Sequence, residues 1–335
     1  MPLVLKDRFG RIHDYLRISL TDRCNLNCIY CCNPQLPKSL KPDKKEILNF
    51  DELLRVVRIF TESLGIRKVR FTGGEPMLRK DIMKFFEALS PLKKRTGFEF
   101  AVTTNGTLLE GNIEALKSAG LDRINISLDS LRSEVFKYIT GSDKLSEVLK
   151  NINGLEETGF QNIKINSVVM RNINDSEAAE FADFFRNRNI TVRFIEFMPF
   201  ENNGWTRETF VSSEEVKKNI EKHFHLEKIE DKSQIAQLYR MTGYKAKIGF
   251  ISPVSQHFCS ECNRLRLKAN GRLKLCLFDP AQREIDLRDV LRDEGSSDLD
   301  IITIISESLS LKEREHPEVS TLALENRNSM QNIGG

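Results

Sequence analysis

Residues 15–31 read YLRISLTDRCNLNCIYC, a β-prone apolar run followed at once by a polar loop with three cysteines. The cysteines stand at positions 24, 28 and 31, in the spacing C-x3-C-x2-C, and a fourth follows at position 32. In parallel α/β folds, ligand sites lie at the carboxyl ends of the strands. The stretch therefore predicts a strand that delivers a group of thiols to such a site.

The same alternation of strand and helix continues through the first two thirds of the chain. The β-prone runs cover residues 15–21, 68–72, 98–103, 123–129, 162–170 and 191–198. Helical patterns lie between them at residues 51–64, 80–89, 110–119, 144–158 and 175–187. Asp51 is the expected N-cap of the first helix. Such alternation predicts an α/β fold with a parallel sheet, either doubly wound or an incomplete (β/α) barrel.

Most of the chemically suggestive motifs come directly after these strands. TDRC follows the first strand, and TGGEP (72–76), TTNG (103–106) and EFMP (196–199) follow later ones. Because parallel strands share one carboxyl edge, these loops should gather at one mouth of the sheet. We therefore expect one composite site there.

Beyond residue 205 the alternation stops, which suggests a division into residues 1–210 and a C-terminal domain of residues 211–335. Ser212 and Glu215 are placed as the capping box of a helix over 213–224. Strand-like runs follow at 237–243, 245–252, 264–269 and 272–278, and two helices are expected near 286–293 and 298–312. Asn270-Gly271 predicts a hairpin between the last two strands. The polar end of the chain is expected to be mobile.

Composition places the chain among ordinary globular proteins and excludes some functions. Its 335 residues carry 51 basic and 48 acidic side chains, a net charge of +3, which argues against general nucleic-acid binding. No run approaches the roughly 18 apolar residues of a membrane span, and no signal peptide is visible, so we expect a cytoplasmic protein. In that compartment thiols stay reduced, and seven cysteines in two groups indicate metal ligation.

The first cysteine group suits an iron–sulfur cluster. Three thiolates would bind three irons of a four-iron cluster and leave the fourth iron open to a substrate or cofactor. A zinc site would need a fourth ligand, and His13 is too far back along the strand to supply it. Cys32 adjoins a ligand and is expected to be a bystander.

The cysteine spacing, with GGEP after the second strand, resembles the signature of the radical S-adenosylmethionine (radical SAM) superfamily. The resemblance implies that Cys24, Cys28 and Cys31 bind a 4Fe–4S cluster whose open iron chelates S-adenosylmethionine (SAM). It also implies reductive cleavage of SAM to a 5′-deoxyadenosyl radical. The positions that match SAM contacts of the superfamily are Tyr30, Gly74, Ser127 and Met198.

The second cysteine group, in residues 257–278, has the spacing C-x2-C-x13-C. Cys259, Cys262 and Cys276 could bind zinc with His257 as a fourth ligand, or a second cluster with an open iron. The residues alone leave these two interpretations even.

The motifs FCSECNRLRL, LCLF and the terminal Gly-Gly resemble those of the GTP 3′,8-cyclase (MoaA) family of molybdenum cofactor biosynthesis. The match also includes YLRISLTDRCN, VRFTGGEPMLRKD and AGLDRINISLDSL. It implies an incomplete (β/α)6 barrel closed by the C-terminal domain, a second 4Fe–4S cluster that binds guanine, and lyase activity on GTP. In that reaction the radical takes hydrogen from ribose C3′, and C3′ attacks guanine C8.

The resemblance also assigns the substrate contacts and the partners. GTP needs convergent cations, and the matching positions are Arg17, Arg70, Thr103, Lys164, Arg264 and Arg266. Gly334 and Gly335 would insert toward the site and support the radical step. The expected partners are GTP, an electron donor that the sequence does not identify, the cyclic pyranopterin monophosphate synthase that acts next, and a second copy of the chain; no membrane or nucleic-acid partner is expected.

Two alternatives remain open at this point. One is a radical SAM maturase with an auxiliary cluster that acts on a peptide, although such enzymes usually carry more C-terminal cysteines. The other is a non-catalytic, metal-stabilised module that binds RNA. Iron content, SAM cleavage and GTP conversion separate the three.

Overall fold

The computed structural model describes residues 2–31, 46–230, 235–279, 283–326 and 329–334. Cys32 and Gly335, to which the sequence gives a bystander role and a role in the radical step, lie outside the described residues. Within the described part, one mixed sheet has the strand order β12-β11-β10-β1-β2-β3-β4-β5-β6-β9-β8-β7. The strands are β1 (Tyr15–Ser19), β2 (Lys68–Thr72), β3 (Glu99–Thr104), β4 (Arg123–Ser127), β5 (Ile163–Val169), β6 (Ile190–Glu196), β7 (Leu226–Ile229), β8 (Gln237–Met241), β9 (Lys247–Ile251), β10 (Arg264–Leu267), β11 (Arg272–Lys274) and β12 (Glu284–Asp286).

Strands β1 to β6 are parallel neighbours in sequence order. A doubly wound sheet would reverse its strand order at a switch point. The incomplete (β/α)6 barrel is therefore confirmed. The later strands extend both edges of this sheet, because β10 pairs in parallel with β1 and β9 pairs in parallel with β6.

The helices are α1 (Phe50–Arg58), α2 (Ile82–Ala88), α3 (Ser90–Thr96), α4 (Ile113–Ser118), α5 (Ser133–Thr140), α6 (Leu145–Glu157), α7 (Ala178–Phe185), α8 (Ser213–Glu221), α9 (Arg288–Arg292), α10 (Asp298–Ser308), α11 (Val319–Glu325) and α12 (Met330–Ile333). Helices α1 to α10 form a layer that packs in the main core, whereas α11 and α12 contribute to a separate apolar cluster with Phe200 and Phe278. Helices α3, α5, α11 and α12 and the strands β7 and β12 were not predicted. None of the helices is long and apolar enough to span a membrane, as far as the described residues go.

The expected N-cap of α1 is wrong by two residues. Asn49, not Asp51, accepts a hydrogen bond from the backbone N–H of Glu52, and the Glu52 carboxylate accepts one from the N–H of Asn49. The capping box that Ser212 and Glu215 form at α8 is as predicted.

The main core lies between the sheet and this helical layer. In β1, Leu16 and Ile18 are fully buried in it, while Tyr15 and Arg17 alternate to the opposite face. Phe71 and Phe100 of β2 and β3 pack edge to face at 5.5 Å between ring centroids, an arrangement that adds about 0.5–1.5 kcal/mol to simple burial. The alternation leaves the polar residues of the strands to line the barrel interior.

Candidate active site

A large cavity of about 510 Å³ runs through the barrel, from the first residues of the parallel strands, such as Lys68 and Glu99, to the loops after their carboxyl ends, such as that of Cys24. The second group of cysteines lies at the amino ends, because β10 begins beside Tyr15 in parallel with β1, so the expected gathering of all the motifs at one mouth is wrong for this group. The volume of the cavity is within the range of sites for cofactors and small molecules. The cavity is lined by both groups of cysteines and by every predicted SAM and GTP contact: Cys24, Cys28, Cys31, Cys259, Cys262, Cys276, Tyr30, Gly74, Ser127, Met198, Arg17, Arg70, Thr103, Lys164, Arg264 and Arg266. The folded chain thus brings together motifs separated by more than 200 positions in the sequence.

The first triad, Cys24, Cys28 and Cys31, lies in the loop after β1. The Cys24 sulfur accepts hydrogen bonds from the backbone N–H of Leu26 at 3.4 Å and from the side-chain amide of Asn105 at 3.7 Å. The N–H of Cys31 donates to the carbonyl of Cys28 at 3.0 Å, which closes a turn between these two ligands. The loop is therefore held by backbone contacts and by a side chain from the end of β3.

The paired glycines after β2 pack against this cysteine loop. A Cβ at Gly73 would lie 2.5 Å from the carbonyl oxygen of Thr21, and one at Gly74 would lie 2.1 Å from that of Arg23. Gly73 also has a φ of 149°. The close approach lets the N–H of Gly74 donate to the Thr21 carbonyl at 2.6 Å. The glycines thus serve a close contact between two loops, which only residues without Cβ allow.

Glu75 anchors the same loop from inside the protein. Its buried carboxylate accepts hydrogen bonds from the Thr104 hydroxyl and the Asn105 N–H, both at 2.7 Å, and from the N–H of Met77 at 3.0 Å. Burial raises the pKa of this carboxyl to about 7. The groups that donate to it come from the loop after β2 and from the end of β3, so the carboxylate connects these two parts of the chain near the first triad.

Tyr30 is held by one hydrogen bond of its side chain and one of its backbone. Its hydroxyl donates to the buried Asp129 carboxylate at 2.8 Å, and its carbonyl accepts from the Asn203 amide at 3.2 Å. The same Asn203 amide donates to the carbonyl of Met198 at 2.9 Å. Burial raises the pKa of Asp129 to about 6. These contacts tie the cysteine loop to the loop after β6, where Met198 lies.

Cations line the barrel interior in rows that the strand register sets. Arg266, Arg17 and Arg70 are neighbours across β10, β1 and β2. Asn125 of β4 and Lys164 of β5 lie opposite each other in the same way. The period of two along each strand turns all these side chains to the cavity.

Burial and mutual repulsion both lower the pKa values of these cavity cations. Burial, and then the positive charges of Arg193 and Arg123, lower the pKa of Lys164 to about 6. Burial and the charge of Arg266 lower the pKa of Arg17 well below its usual range. Burial and Arg70 likewise lower the pKa of Arg193 to about 9. In the ligand-free cavity the charged forms of these side chains are therefore disfavoured, and a bound polyanion would stabilise them.

Two groups partly offset this positive charge. Glu99 forms ion pairs with Lys68 at 2.6 Å and with Arg123 at 3.0 Å. The Tyr15 hydroxyl accepts from Arg70 Nε at 2.6 Å. Burial alone would raise the pKa of Tyr15, but the charges of Arg70 and other cations lower it to about 7. The Nε of Arg264 is buried without a hydrogen-bond partner among the described residues.

The second triad, Cys259, Cys262 and Cys276, lies beside β10 and β11. Each of its sulfurs accepts a backbone hydrogen bond, from the N–H groups of His316, Arg264 and Phe278 respectively. Burial raises the pKa of the Cys259 and Cys276 thiols. For Cys262 burial acts in the same direction, but the charges of Lys312 and Arg264 outweigh it and lower the pKa.

The donor chemistry of both triads fits the predicted clusters. No disulfide links any of these six cysteines to another described residue, and four of them accept N–H hydrogen bonds of the kind that stabilise cluster-bound thiolates. Within the described ranges, no three histidine, cysteine or carboxylate side chains lie close enough to bind a single metal ion. His257, the possible fourth zinc ligand, lies 3.8 Å from the Glu315 carboxylate.

The end of the chain reaches the barrel, although its polar composition taken alone predicted a mobile tail; the family resemblance implied that Gly334 and Gly335 insert toward the site. The Gln331 amide donates to the carbonyl of Asp22 at 2.8 Å, and Arg266 Nη1 donates to the carbonyl of Gly334 at 3.4 Å. Ile333 packs in an apolar cluster with Phe200 and other side chains. The polar composition by itself gives no signal of this docking, because a few anchored residues suffice for it.

Several residues that line the cavity were not predicted from the sequence. They are Tyr15, Lys68, Glu99, Arg123, Asn125, Asp129, Asn166, Arg193 and His316. Most occupy strand positions with the same parity as Arg17, Arg70 and Lys164. That parity is a signal in the sequence, but it becomes specific only once the register of neighbouring strands is known.

Comparisons with known proteins agree with these observations. Residues 18–185 match the radical SAM superfamily, and residues 190–318 match the family described as Molybdenum Cofactor Synthesis C. Streptococcus suis SuiB bound to S-adenosylmethionine has a similar fold, with a TM-score of 0.60 and 16% identity over 96% of this chain and 78% of SuiB.

Named relatives resemble the chain over nearly its whole length. A GTP 3′,8-cyclase of Thermodesulfovibrio yellowstonii is 42% identical over 92% of this chain and 94% of its own. A mitochondrial GTP 3′,8-cyclase of Arabidopsis thaliana is 40% identical over 99% of this chain and 84% of its own. The chain spans about half, 52%, of the Molybdenum cofactor biosynthesis protein 1 of Dictyostelium discoideum, at 39% identity. The chain therefore belongs to the radical SAM superfamily and, within it, to the GTP 3′,8-cyclase family.

Proposed function

We propose that this chain is a lyase that converts GTP to (8S)-3′,8-cyclo-7,8-dihydroguanosine 5′-triphosphate, the first step of molybdenum cofactor biosynthesis. The observation that carries the proposal is one cavity that is lined by rows of cations and by two triads of cysteines. The identity to GTP 3′,8-cyclases over nearly the full chain supports it.

The first triad would hold the 4Fe–4S cluster that the superfamily implies. Together with SAM, that group supplies a 5′-deoxyadenosyl radical when bound. Tyr30, Gly74, Ser127 and Met198 are proposed to line the SAM site, since all four border the cavity. Asn203 and Asp129 keep this end of the cavity ordered through their hydrogen bonds to Tyr30.

The triphosphate of GTP would lie against the cation rows. Arg17, Arg70 and Arg266 present adjacent guanidinium groups, which suit forked recognition of phosphate oxygens. Lys164, Arg264 and Thr103 are proposed to complete the site. The Arg70 Nη1 group already donates to the Thr103 hydroxyl at 3.2 Å. The triphosphate would relieve the repulsion that lowers the pKa of Arg17 and Lys164.

The second triad would hold the second 4Fe–4S cluster, beside which the guanine is proposed to bind. The overall reaction takes hydrogen from ribose C3′, joins C3′ to guanine C8, and ends with one electron and one proton added to the nucleotide. Gly334 and Gly335 are proposed to support the radical step, and the carbonyl of Gly334 is already a partner of Arg266. The electron comes from a reductant that stays unidentified.

Further proposals concern organisation and partners. We propose a barrel domain of residues 1–210 and a C-terminal domain of residues 211–335, although the sheet runs through both. Six cysteines that form no disulfide with any described residue fit a reducing compartment such as the cytoplasm. A cyclic pyranopterin monophosphate synthase would use the product, and the active chain would form a homodimer.

The alternatives receive less support. A peptide-modifying maturase shares the fold, but the likeness to SuiB at 16% identity concerns the fold alone. A metal-stabilised RNA-binding module does not explain cations that face the interior of a barrel rather than an exposed surface.

An anaerobic assay tests the proposal. The chain is reconstituted with iron and sulfide, reduced with dithionite, and incubated with SAM and GTP. We expect 5′-deoxyadenosine, methionine and a cyclised nucleotide in equal amounts. Formation of 5′-deoxyadenosine with GTP recovered unchanged would show that the substrate is wrong. Zinc in place of iron, with no SAM cleavage, would contradict the enzyme class.

A further inference from the structure

The segment of residues 312–316, which follows α10, contacts the chain around each cysteine of the second triad. At one end, the backbone N–H of His316 donates to the Cys259 sulfur. At the other end, the side chain of Lys312 lies beneath β10 and the loop that carries Cys276. The segment thus supports the triad from the side of the C-terminal domain.

Lys312 joins two separate parts of the triad. Its ammonium donates one hydrogen bond to the carbonyl of Arg264, two residues after Cys262, at 3.3 Å. It donates a second to the carbonyl of Leu275, the residue before Cys276. One side chain therefore fixes the strand that leaves Cys262 relative to the loop that presents Cys276.

The burial of this ammonium needs a counter-charge. Lys312 is 3% exposed, and lysines are seldom buried so fully unless they are paired. Among the described carboxylates, none comes within the 4.0 Å ion-pair distance of its Nζ. Carbonyl oxygens satisfy its hydrogen bonds but carry no net charge, so the low-dielectric surroundings leave the positive charge unbalanced.

Arg11 gives the segment an independent anchor. Its guanidinium donates to the carbonyls of Cys259 at 2.8 Å, Glu313 at 2.6 Å and Arg314 at 2.7 Å. The Asp7 carboxylate holds the guanidinium in turn at 2.6 Å. Contacts of Arg11 with the segment therefore help to hold Lys312 in place, so its charge has a fixed position in the folded chain.

We propose that Lys312 is a positioning residue of the second triad: it holds Cys262 and Cys276 at the spacing of a shared cluster, and its ammonium is the counter-charge of that cluster. The inference rests on the proposed function, in which the second triad binds an iron–sulfur cluster. A cluster bound by three thiolates is an anion, and its reduced form carries one more negative charge than its oxidised form. A fixed cation nearby favours the reduced form and raises the reduction potential.

The test isolates the second cluster in the full-length chain. Cys24→Ser, Cys28→Ser and Cys31→Ser are combined, and the chain is reconstituted with iron and sulfide, so that electron paramagnetic resonance of the reduced protein reports only the second triad. Lys312→Met removes the charge and keeps the length of the side chain. Lys312→Gln also removes the charge but keeps a donor for the carbonyls, and it serves if Lys312→Met does not fold. Lys268→Met is the matched control, because this lysine of the same domain pairs with Glu284 at 2.9 Å.

Two readouts are measured in each protein: the midpoint potential by dithionite titration, and the rate of iron release to a ferrous chelator. Both Lys312 variants should shift the potential to a more negative value, and iron release should be roughly tenfold faster or more, as for other groups that orient metal ligands. Lys268→Met should change neither.

An unchanged potential and release rate in both Lys312 variants would overturn the inference. Absence of a cluster in the parent triple variant would remove its premise and overturn it as well. The proposed function fails on a different result, which is an intact wild-type chain that holds both clusters and leaves GTP unchanged.

Discussion

Arg17 on β1 lies directly beside Arg266 on β10, as register partners on adjacent parallel strands. Each side chain lines the cavity, and the charge of Arg266 contributes to the low pKa of Arg17. Two like charges in this position are unfavourable without a ligand and favourable with a polyphosphate. Under the proposed function, the pair links the stability of the ligand-free chain to its affinity for GTP.

Arg17→Met should stabilise the ligand-free chain while it weakens GTP binding. Removal of one cation relieves close like-charge repulsion, so the free energy of unfolding should rise by about 1–3 kcal/mol. Loss of charge-assisted hydrogen bonds to phosphate should raise the dissociation constant for GTP roughly ten- to hundredfold. Chemical denaturation and equilibrium dialysis measure the two effects. Arg95→Met, which removes an exposed cation paired with Glu62, is the control and should change neither. An Arg17→Met chain that is less stable than the wild type and binds GTP equally tightly would contradict the placement of Arg17 against the phosphates.

Lys164 should make GTP binding dependent on protons. In the unfolded chain its pKa is 10.5, whereas in the folded, ligand-free chain it is about 6. Between these values the unfolded chain binds more protons, so Lys164 lowers the free energy of unfolding, and this destabilisation grows as the pH falls from about 10.5 toward 6. Bound phosphate reverses the shift, so GTP binding at pH 8 should take up as much as about one proton.

Calorimetry in two buffers with different ionisation enthalpies measures this uptake. The wild-type chain should show a buffer-dependent heat, and Lys164→Met should lose most of that dependence. A heat that is the same in both buffers for the wild type would show that Lys164 does not lie against the phosphates.

Loss of a cysteine from the first triad should affect the reaction differently from loss of a cysteine from the second. Cys28→Ala should lose about four of about eight irons per chain, since a four-iron cluster needs its thiolates, and SAM cleavage should stop. Cys276→Ala should lose a similar amount of iron but keep SAM binding and cleavage without cyclised product. Iron analysis and chromatography of 5′-deoxyadenosine and nucleotides decide the matter. Normal cyclisation by Cys276→Ala would contradict the role of the second triad.

Tyr30→Phe should destabilise the ligand-free chain in a manner that depends on pH. The change removes one of the hydrogen bonds to the buried Asp129 carboxylate, which still accepts from the Val168 N–H at 2.8 Å. The free energy of unfolding should fall by about 1–3 kcal/mol. Burial raises the pKa of Asp129 to about 6 in the wild type, so the deficit should be small below that pH and widen above it, where the carboxylate is charged. Thermal unfolding between pH 5 and 8 measures it, with the exposed Tyr138→Phe as the control.

The sequence predicted the barrel strands well because each is a short apolar run bounded by clear breaks. All six were placed within about three residues of their observed ends, and Asn270-Gly271 does turn between β10 and β11. The six cysteines of the two triads were found through local motifs, and the candidate SAM and GTP contacts through the family resemblance of the motifs around them. These signals lie in adjacent residues, so a single sequence contains them.

The features that the sequence missed depend on contacts between distant residues. Arg193 lines the cavity because β6 pairs with β5 in a particular register, and nothing in its neighbours along the chain marks it. Helix α5 is only eight residues long and contains β-prone residues, yet it buries Phe136 and Ile139. Docking of the tail, which only the family resemblance implied, depends on single partners such as Asp22, which lies 309 positions before Gln331.

Gly334→Ala should impair cyclisation through a clash in the barrel. Gly334 has a φ of +81°, and an added Cβ would lie 2.7 Å from the Cβ of Ser19 at the end of β1. The backbone conformation alone disfavours alanine by about 1–2 kcal/mol. The clash adds to this strain and should displace the tail from Arg266. We expect less cyclised nucleotide per SAM cleaved, with an unchanged iron content.

Gly243→Ala separates the two causes, because Gly243 has a φ of +84° but no atom within 4 Å of an added Cβ. This control should lose stability and keep the yield of cyclised nucleotide. Ser19→Gly combined with Gly334→Ala removes the clashing Cβ and should restore part of the yield. If Gly334→Ala cyclised GTP as well as Gly243→Ala does, the docked tail would have no part in the reaction, since the strain is the same in both and only the contact with Ser19 differs.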